Sequence, residues 1–392
     1  MDLSYLFSVD ISLGDASNTT AAYRVSHYTG DTVTGVVSLR STCDVRFDVV
    51  ELLLIGEERT TLLNETAHRR FYQSHFPLHE TTLPSPRTII KNRTYRFPFS
   101  FQVPDHLPPN SCSHNIASNP LIHQAHLQPP PSFGDATISG FGGQLRDDFA
   151  PPSCRILWLV QFRLLRKNIV SAEPEPILVK SLKLRVKPAT DETLHLNLNR
   201  GSSEYCLQQT SMVAGKGSRE LGTLTVTLEP PKSFYLPLRD PHSFIGNAVR
   251  LFLRYTPTEP TEELLQLPRM RSLKGNITAT TFYTTSSHHD IPAKKKDIFG
   301  KAKNYAEMKF PPWAADPVAG DYAATLLVPV NLPRQNFVPT FHSCLISRVY
   351  ALSLQLGVHG ASGISLRVPV QVSTHRDSLV LPSYHASVGI GA

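Results

Sequence analysis

Alternation of apolar and polar residues runs through most of the 392-residue chain. In the stretch YRFPFSFQV, residues 95–103, every second side chain is apolar. The stretch SLKLRVK, residues 181–187, sets leucine and valine against lysine and arginine in the same way. Successive side chains of a β-strand point to opposite faces, so this period buries one face of a strand and hydrates the other. The chain is therefore predicted to consist mainly of strands that each place one face in a core.

The strand-like segments follow one another closely and are separated by turns rich in proline and glycine, of which the chain has 32 and 21. They do not alternate with helical segments, which argues against a parallel α/β sheet. We predict an all-β chain of two tandem antiparallel immunoglobulin-like β-sandwiches. A polar stretch rich in glycine and serine marks the division between them. The predicted units are a first sandwich at 1–190, a linker at 191–220, a second sandwich at 221–375 and a flexible tail at 376–392.

Two residues inside predicted strands carry specific expectations. Pro98 cannot donate a backbone hydrogen bond, so its strand is predicted to lie at a sheet edge or to contain a bulge. In ISRVYALSL, residues 346–354, Tyr350 and the leucines after it are expected in the core. Arg348 is then expected to make a polar contact between the two domains.

Composition and cysteine usage bound the class of protein. Hydrophobic residues make up 41% of the chain, which is enough for folded cores and too much for a disordered chain. The five cysteines are widely spaced and include no C-x-x-C pair, which is typical of reduced thiols in a cytosolic protein. The first residues lack the basic segment and long apolar run of a signal peptide. We expect a cytoplasmic protein.

Sequence signatures of catalysis are not found. The chain contains no G-x-S-x-G, P-loop or H-E-x-x-H pattern, so serine, histidine and aspartate have no catalytic spacing. We expect a protein that is not an enzyme, with no catalytic residue, no cofactor and no metal.

The stretch CSHNIASNPLIHQAH is the one place where soft ligands gather in the sequence. Cys112, His114, His123 and His126 are residue types that bind zinc. Their spacing matches no zinc site that we can name, and the alternative is a polar loop with scattered histidines. We favour a packing role for this loop and keep zinc as the alternative.

A basic region precedes the last predicted strands, and residues 284–320 are predicted to form a long lysine-rich loop. Positions 269–309 contain nine cationic and three anionic residues, which gives this region a net charge of +6. The net charge of the whole chain is +7. This charge could attract anionic lipid or an acidic cargo segment, or it could belong to a solvated loop. Nucleic acid is not favoured, because no aromatic platform or recognition helix accompanies the charge. The candidate patch consists of Arg269, Arg271, Lys274, Lys294, Lys295, Lys296, Lys301 and Lys303.

Several ordered blocks resemble one family. YTGDTVTGVVSL near the start, RTYRFPFSFQVPDHLPPNSC with HLQPPPSFG after it, and FVPTFHSCLISRVYALSLQLGV with LRVPVQV near the end are similar to the two domains of fungal arrestin-like proteins. The resemblance extends from about residue 5 to 372. It implies two concave sandwiches joined by a short hinge. It also implies that similar residues around Cys112 belong to the family signature, which favours the packing role for that loop.

The resemblance implies a function as well. Fungal arrestin-like proteins are adaptors that bind cytoplasmic parts of plasma-membrane transporters or receptors, at the plasma membrane or endosomes, and promote their ubiquitin-dependent endocytosis and sorting. They recruit a HECT-type ubiquitin ligase through Pro-Pro-x-Tyr peptides that bind its WW domains. This chain has no Pro-Pro-x-Tyr, and the nearest candidate is Leu381, Pro382 and Tyr384 in the tail. The alternatives are an inert tail, and an arrestin-fold scaffold in membrane trafficking or signalling that recruits no ligase.

Overall fold

The computed structural model describes residues 4–14, 26–112, 114, 120–139, 148–168, 173–189, 205–215, 217, 219–236, 246–258, 266–286, 294–304, 308–316, 320–332 and 337–374. Strands dominate these residues. Numbered in chain order, the strands of the first half are β1 (Phe7–Leu13), β2 (Ser26–Tyr28), β3 (Thr32–Ser41), β4 (Val45–Arg46), β5 (Val49–Leu62), β6 (Glu65–Phe76), β7 (Thr88–Ile89), β8 (Thr94–Gln102), β9 (Cys154–Lys167) and β10 (Pro174–Lys187).

The second half continues the same pattern. Its strands are β11 (Gln208–Ala214), β12 (Glu220–Leu228), β13 (Phe234–Leu236), β14 (Gly246–Pro257), β15 (Met270–Tyr283), β16 (Lys294–Asn304), β17 (Ala314–Asp316), β18 (Asp321–Asn331), β19 (Phe341–His342), β20 (Ile346–Val358), β21 (Ile364–Val370) and β22 (Val372–Thr374). The described helices are short: α1 (Pro120–His126), α2 (Ala136–Ser139) and 3-10 turns at Ser4–Leu6, Glu80–Thr82 and Pro109–Ser111.

The first half has two main sheets that face each other across one hydrophobic core, and a short pair of β4 with β7 beside them. One sheet has the order β1-β3-β8, and the other has the order β2-β10-β9-β5-β6. Phe97 of β8 stacks on Phe162 of β9 with ring centroids 5.5 Å apart, so aromatic side chains of the two sheets meet directly. Trp158 lies fully buried in the same core, and its Nε1 donates a 2.9 Å hydrogen bond to the Pro130 carbonyl. Burial of large aromatic side chains with their polar atoms paired is a strong source of stability.

The second half repeats this construction. The sheet β11-β12-β14-β18-β17 shares a core with the sheet β16-β15-β20-β19, and β21 extends the latter by pairing with β20. Tyr350 of β20 is buried as predicted, and its hydroxyl donates a 2.7 Å hydrogen bond to the Val338 carbonyl. The predicted all-β, β-sandwich-like character of the chain is thus confirmed.

Several details match or depart from the sequence-based predictions. Within the described residues β8 pairs only with β3, so the strand that contains Pro98 is an edge strand as expected. Two short pairs, β2 with β10 and β13 with β22, are parallel, whereas only antiparallel pairing was predicted. Strand β11 lies inside the predicted linker and pairs antiparallel with β12, and its Ser211 and Val213 side chains are buried.

The two halves meet in a shared apolar junction. Residues from the second half, including Phe341, Leu345 and Ile346, belong to the core of the first half. Phe341 packs edge-on against Phe133 with ring centroids 5.5 Å apart. The short segment between β19 and β20 is therefore buried against the first half, and it brings its polar residues into the same contact.

Candidate metal centre and domain junction

Helix α1 positions one side of the candidate site. Proline is favoured in the first turn of a helix, because it has no N–H to leave unsatisfied there, and α1 begins at Pro120. Ile122, His123, Ala125 and His126 are buried, and they recur at the spacing of one helical face. His126, at the last position of α1, thereby points into the protein rather than into solvent.

The turn between β19 and β20 positions the other side. Its Ser343 backbone N–H donates a 2.8 Å hydrogen bond to the Ile346 carbonyl, and the Ile346 N–H donates a 3.2 Å bond to the Ser343 hydroxyl oxygen. This closed turn holds Cys344, of which only 2% is exposed. Cys112 follows the 3-10 turn Pro109–Ser111 and approaches from the first half.

Four ligand atoms converge where these segments meet. The Cys112 Sγ lies 3.4 Å from the His114 Nδ1 and 3.6 Å from the His126 Nδ1. The Cys344 Sγ lies 3.6 Å from the same His126 nitrogen and 3.8 Å from the Cys112 Sγ. All four ligand atoms lie within 4.8 Å of one another, and all four residues are buried. The arrangement is a compact Cys2His2 cluster built from both halves of the chain.

The two cysteines are not a disulfide. A disulfide joins sulfur atoms about 2.05 Å apart, and both thiols are free at an Sγ–Sγ distance of 3.8 Å. The Cys344 thiol donates a hydrogen bond to Cys112 and lowers the pKa of Cys112 against the effect of burial, with further help from His114 and His126. The same shared proton, together with burial, raises the pKa of Cys344. Burial lowers the pKa of His126, which favours the neutral imidazole that binds metals.

The sequence identified only part of this cluster. Cys112, His114 and His126 are brought together, but His123 is buried outside the group and is replaced by Cys344. The expected packing role is therefore incomplete, because the segment also builds a buried four-ligand cluster. Cys344 lies 232 positions beyond Cys112, and no local spacing rule connects two residues so far apart. Only the pairing of β19 with β20 against the first half places it there.

Beside the cluster, Glu58 joins the two halves. This carboxylate is fully buried on β5 and accepts a 3.1 Å hydrogen bond from the Arg69 Nη1 of β6. It also accepts a 2.5 Å hydrogen bond from the Ser343 hydroxyl of the second half. Close by, the Thr60 hydroxyl donates a 2.6 Å bond to the Thr284 carbonyl. A buried charge is tolerated when it is paired and hydrogen-bonded in this way.

Arg348 makes the interdomain contact that was predicted for it. The side chain is 1% exposed, and its Nη2 donates a 2.9 Å hydrogen bond to the Phe149 carbonyl of the first half and a 3.4 Å bond to the Asp148 carbonyl. Its guanidinium also lies over the Phe133 ring, 4.9 Å from the ring centroid. Burial lowers the pKa of Arg348. The prediction of a polar contact between the halves is confirmed.

The basic region has a different structure from the predicted one. Arg269, Arg271 and Lys274 are exposed at the start of β15, as a surface patch requires. The segment 294–304, predicted as part of a loop, is instead strand β16, antiparallel to β15. Backbone pairing explains the difference, because ten residues of β15 supply partners for this lysine-rich segment. Lys294, Lys295, Lys296, Lys301 and Lys303 lie on that strand, and the ligase-docking candidates Leu381, Pro382 and Tyr384 lie outside the described residues.

No protein-family model matches the chain, and no curated protein matches it. Among the described residues, no helix is long and apolar enough to cross a membrane.

Proposed function

We propose that the protein is a non-enzymatic adaptor of the arrestin-like type, which binds an extended acidic segment from the cytoplasmic side of a plasma-membrane transporter or receptor. The observation that carries the proposal is strand β16, a basic strand at the edge of a sheet. In the described part of the chain β16 pairs with β15 on one side, and no other strand pairs with it. The resemblance of the sequence to fungal arrestin-like proteins supports the same function.

An open strand edge offers a row of unpaired backbone groups, and an extended peptide can add to it as a further strand. The sequence of β16 is KKKDIFGKAKN, which has five lysines and one aspartate. Backbone hydrogen bonds would supply affinity for any extended segment. The lysines would favour an acidic one and would accelerate its encounter at low salt.

A neighbouring groove extends this surface. Asn304, at the end of β16, pairs with Lys274 near the start of β15, where Arg271 is exposed. At that end of β15 the chain forms a groove lined in part by Leu267, Arg269, Met270, Lys309, Phe310 and Trp313. Apolar and basic side chains in one groove suit a segment that continues past β16 and combines acidic with apolar residues.

Peptide binding tests the proposal directly. The probe is a fluorescent peptide of about ten residues that alternates glutamate and valine, titrated in fluorescence anisotropy. Lys301→Glu with Lys303→Glu should weaken binding at least about tenfold, since two attractive contacts become repulsive. The matched control is Lys167→Glu with Lys180→Glu, which changes the net charge equally at exposed positions of the first half. Equal affinity of both double variants would contradict the assignment of the cargo site to β16.

Anionic lipid is the competing ligand of the same residues. If Lys294, Lys295 and Lys296 serve a membrane surface, their neutralisation to glutamine should abolish sedimentation with phosphatidylserine vesicles while peptide affinity changes little. Unchanged sedimentation would exclude the lipid interpretation.

Recruitment of a ubiquitin ligase is a separate part of the proposal. A proline followed by tyrosine at this spacing is preorganised in the polyproline conformation that WW domains bind, and the tail keeps Pro382 and Tyr384 while Leu381 stands in the place of the first proline. Wild-type protein should recover a WW-domain HECT-type ligase in pull-down, and Tyr384→Ala should not. Equal recovery would favour the second candidate function, a trafficking or signalling scaffold without a ligase. The missing Pro-Pro-x-Tyr is the observation that favours that second candidate.

A further inference from the structure

We propose that Cys112, His114, His126 and Cys344 bind one zinc ion in a closed tetrahedral site that joins the two halves of the chain. This inference is independent of the adaptor function, because it rests on the geometry of the junction alone. If the protein bound the zinc ion but bound no cargo, the zinc proposal would still hold.

The distances within the cluster are those of a tetrahedral zinc site. Zinc lies about 2.3 Å from a thiolate sulfur and about 2.05 Å from an imidazole nitrogen. Tetrahedral angles then place two sulfur ligands about 3.8 Å apart, and a sulfur and a nitrogen about 3.6 Å apart. The Sγ–Sγ distance is 3.8 Å, and three of the four sulfur–nitrogen distances are 3.4, 3.6 and 3.6 Å. These four distances match those around a tetrahedral zinc ion, and all four ligand atoms lie within 4.8 Å of one another, so one ion between them can contact all four after small side-chain adjustments.

The donor set selects the metal. Two thiolates and two imidazoles in a tetrahedron favour zinc over magnesium or calcium, which require six or more oxygen ligands. Four protein ligands complete the coordination of zinc and leave no position for water or substrate, so the site is structural rather than catalytic. Burial of all four residues agrees with a closed site.

Neighbouring groups hold the ligands and balance the charge. Glu58 accepts hydrogen bonds from the Ser343 hydroxyl and, at 3.4 Å, from the Leu345 N–H, which fixes the turn on both sides of Cys344. Arg69 is paired with Glu58, so this carboxylate adds no unpaired negative charge beside the two thiolates.

The consequence is a crosslink between distant parts of the chain. Three ligands come from residues 112–126 of the first half, and the fourth comes from the β19–β20 turn of the second half. Free energy of zinc binding contributes directly to the stability of the structure that holds the ligands. Zinc should therefore stabilise the contact between the halves more than either core.

Metal analysis of the full-length chain, purified without a histidine tag or chelator, tests the proposal. Elemental analysis should find about one zinc ion per chain. Cys344→Ser and His126→Ala should each lose most of it. Two controls should retain it: His123→Ala changes a buried histidine of the same helix, and Cys206→Ser changes a cysteine distant in sequence from the cluster.

Cobalt binding keeps the proposal testable if a ligand variant fails to fold. Wild-type chain stripped of metal and titrated with Co²⁺ should develop the intense visible absorption of tetrahedral cobalt together with thiolate-to-cobalt charge transfer, and Zn²⁺ should abolish both. Absence of zinc in the purified chain together with absence of this spectrum would overturn the proposal. Retention of zinc by folded Cys344→Ser would overturn it equally, and so would a Cys112–Cys344 disulfide found by mass spectrometry of the unreduced chain.

Discussion

Among the described residues, the domain junction and the basic edge strand β16 are the two regions on which the proposals rest, and they differ in sequence spacing, burial and charge. The junction brings together residues far apart in sequence, buries them, and pairs Glu58 and Arg348 with specific partners across the two halves. Strand β16 has its charges next to one another in the sequence and lies at the edge of a sheet. The first region should therefore control stability and the relation between the halves, and the second should control binding.

The largest effect is expected from loss of the zinc ligands. Cys344→Ser should destabilise the chain by more than about 4 kcal/mol, because a structural metal and a buried sulfur ligand are lost together. Thermal unfolding followed by circular dichroism measures the effect. Cys206→Ser should change the midpoint by less than about 2 °C, as a partly exposed cysteine outside the cluster. Equal midpoints for Cys344→Ser and wild type would show that the metal does not contribute to stability.

Arg348 should come next. Arg348→Ala should cost about 3 kcal/mol, since the Phe149 and Asp148 carbonyls lose a charged donor inside the junction and a cavity opens beside Phe133. Arg254 offers a matched arginine, because its ion pair with Asp321 spans 3.6 Å at a side chain that is 67% exposed. Arg254→Ala should cost less than about 1 kcal/mol. Denaturant unfolding of the two variants in parallel compares them, and similar costs would show that Arg348 is not a junction residue of special importance.

Glu58→Gln should have a smaller effect of about 1–2 kcal/mol, because the side chain keeps its shape while the hydrogen bonds to Arg69 and Ser343 lose their charge assistance. Urea titration measures this difference. Ser343→Ala in the Glu58→Gln background should then add less than it does in wild type, since both changes weaken one contact. Additive costs would place the two residues in independent interactions.

A pH effect is expected at Asp135, which lies outside the four-ligand cluster. Burial alone would raise the pKa of Asp135, but hydrogen bonds from Lys183, at 2.7 Å, and Thr137 outweigh it and lower that pKa. A lowered pKa in the folded state contributes stability above the ordinary aspartate pKa of about 4 and loses it as the pH falls. Asp135→Asn should therefore be less stable than wild type by about 1 kcal/mol at pH 7, and the difference should shrink towards pH 3. A difference that stays constant between pH 7 and pH 3 would contradict this assignment.

The smallest effect on stability is expected at β16. Lys301→Glu with Lys303→Glu should change the unfolding free energy by less than about 0.5 kcal/mol, because a run of like charges repels itself and contributes little to folding. The same variant should retain its zinc while it loses affinity for the acidic peptide. Loss of zinc together with peptide binding would mean that the two regions are not separable.

The sequence predicted the all-β, β-sandwich-like character and several individual positions. The alternation of apolar and polar residues in β8 predicts which face of the strand lies against the core. Pro98 predicts that the strand is at a sheet edge. Both are local properties of a strand and can be predicted from its sequence. Arg348 could be predicted because a charged residue among core positions requires a polar partner. Strand β16 was not predicted, because its five lysines interrupt the alternation of apolar and polar residues on which strand prediction depends.

The cluster could be predicted only in part. Cys112, His114 and His126 lie close enough in sequence to be noticed together, whereas Cys344 reaches them through the packing of the two halves. Nothing local distinguishes His126 from His123, since both are buried on α1 and only the direction of each side chain decides which one faces the cysteines. Tertiary packing determines the direction of each histidine side chain, and residue spacing does not predict that direction.

The two tryptophans allow the most direct test of the junction, because Trp158 lies in the core of the first half and Trp313 packs against the core of the second. In Trp158→Phe the remaining fluorescence reports unfolding of the second half, and in Trp313→Phe it reports the first. With zinc bound, the two reporters should unfold in coincident denaturant transitions. After removal of zinc by a chelator, the transitions should separate and move to lower denaturant. If the chelator changes neither the position nor the separation of the two transitions, the result would contradict the claim that zinc joins the halves.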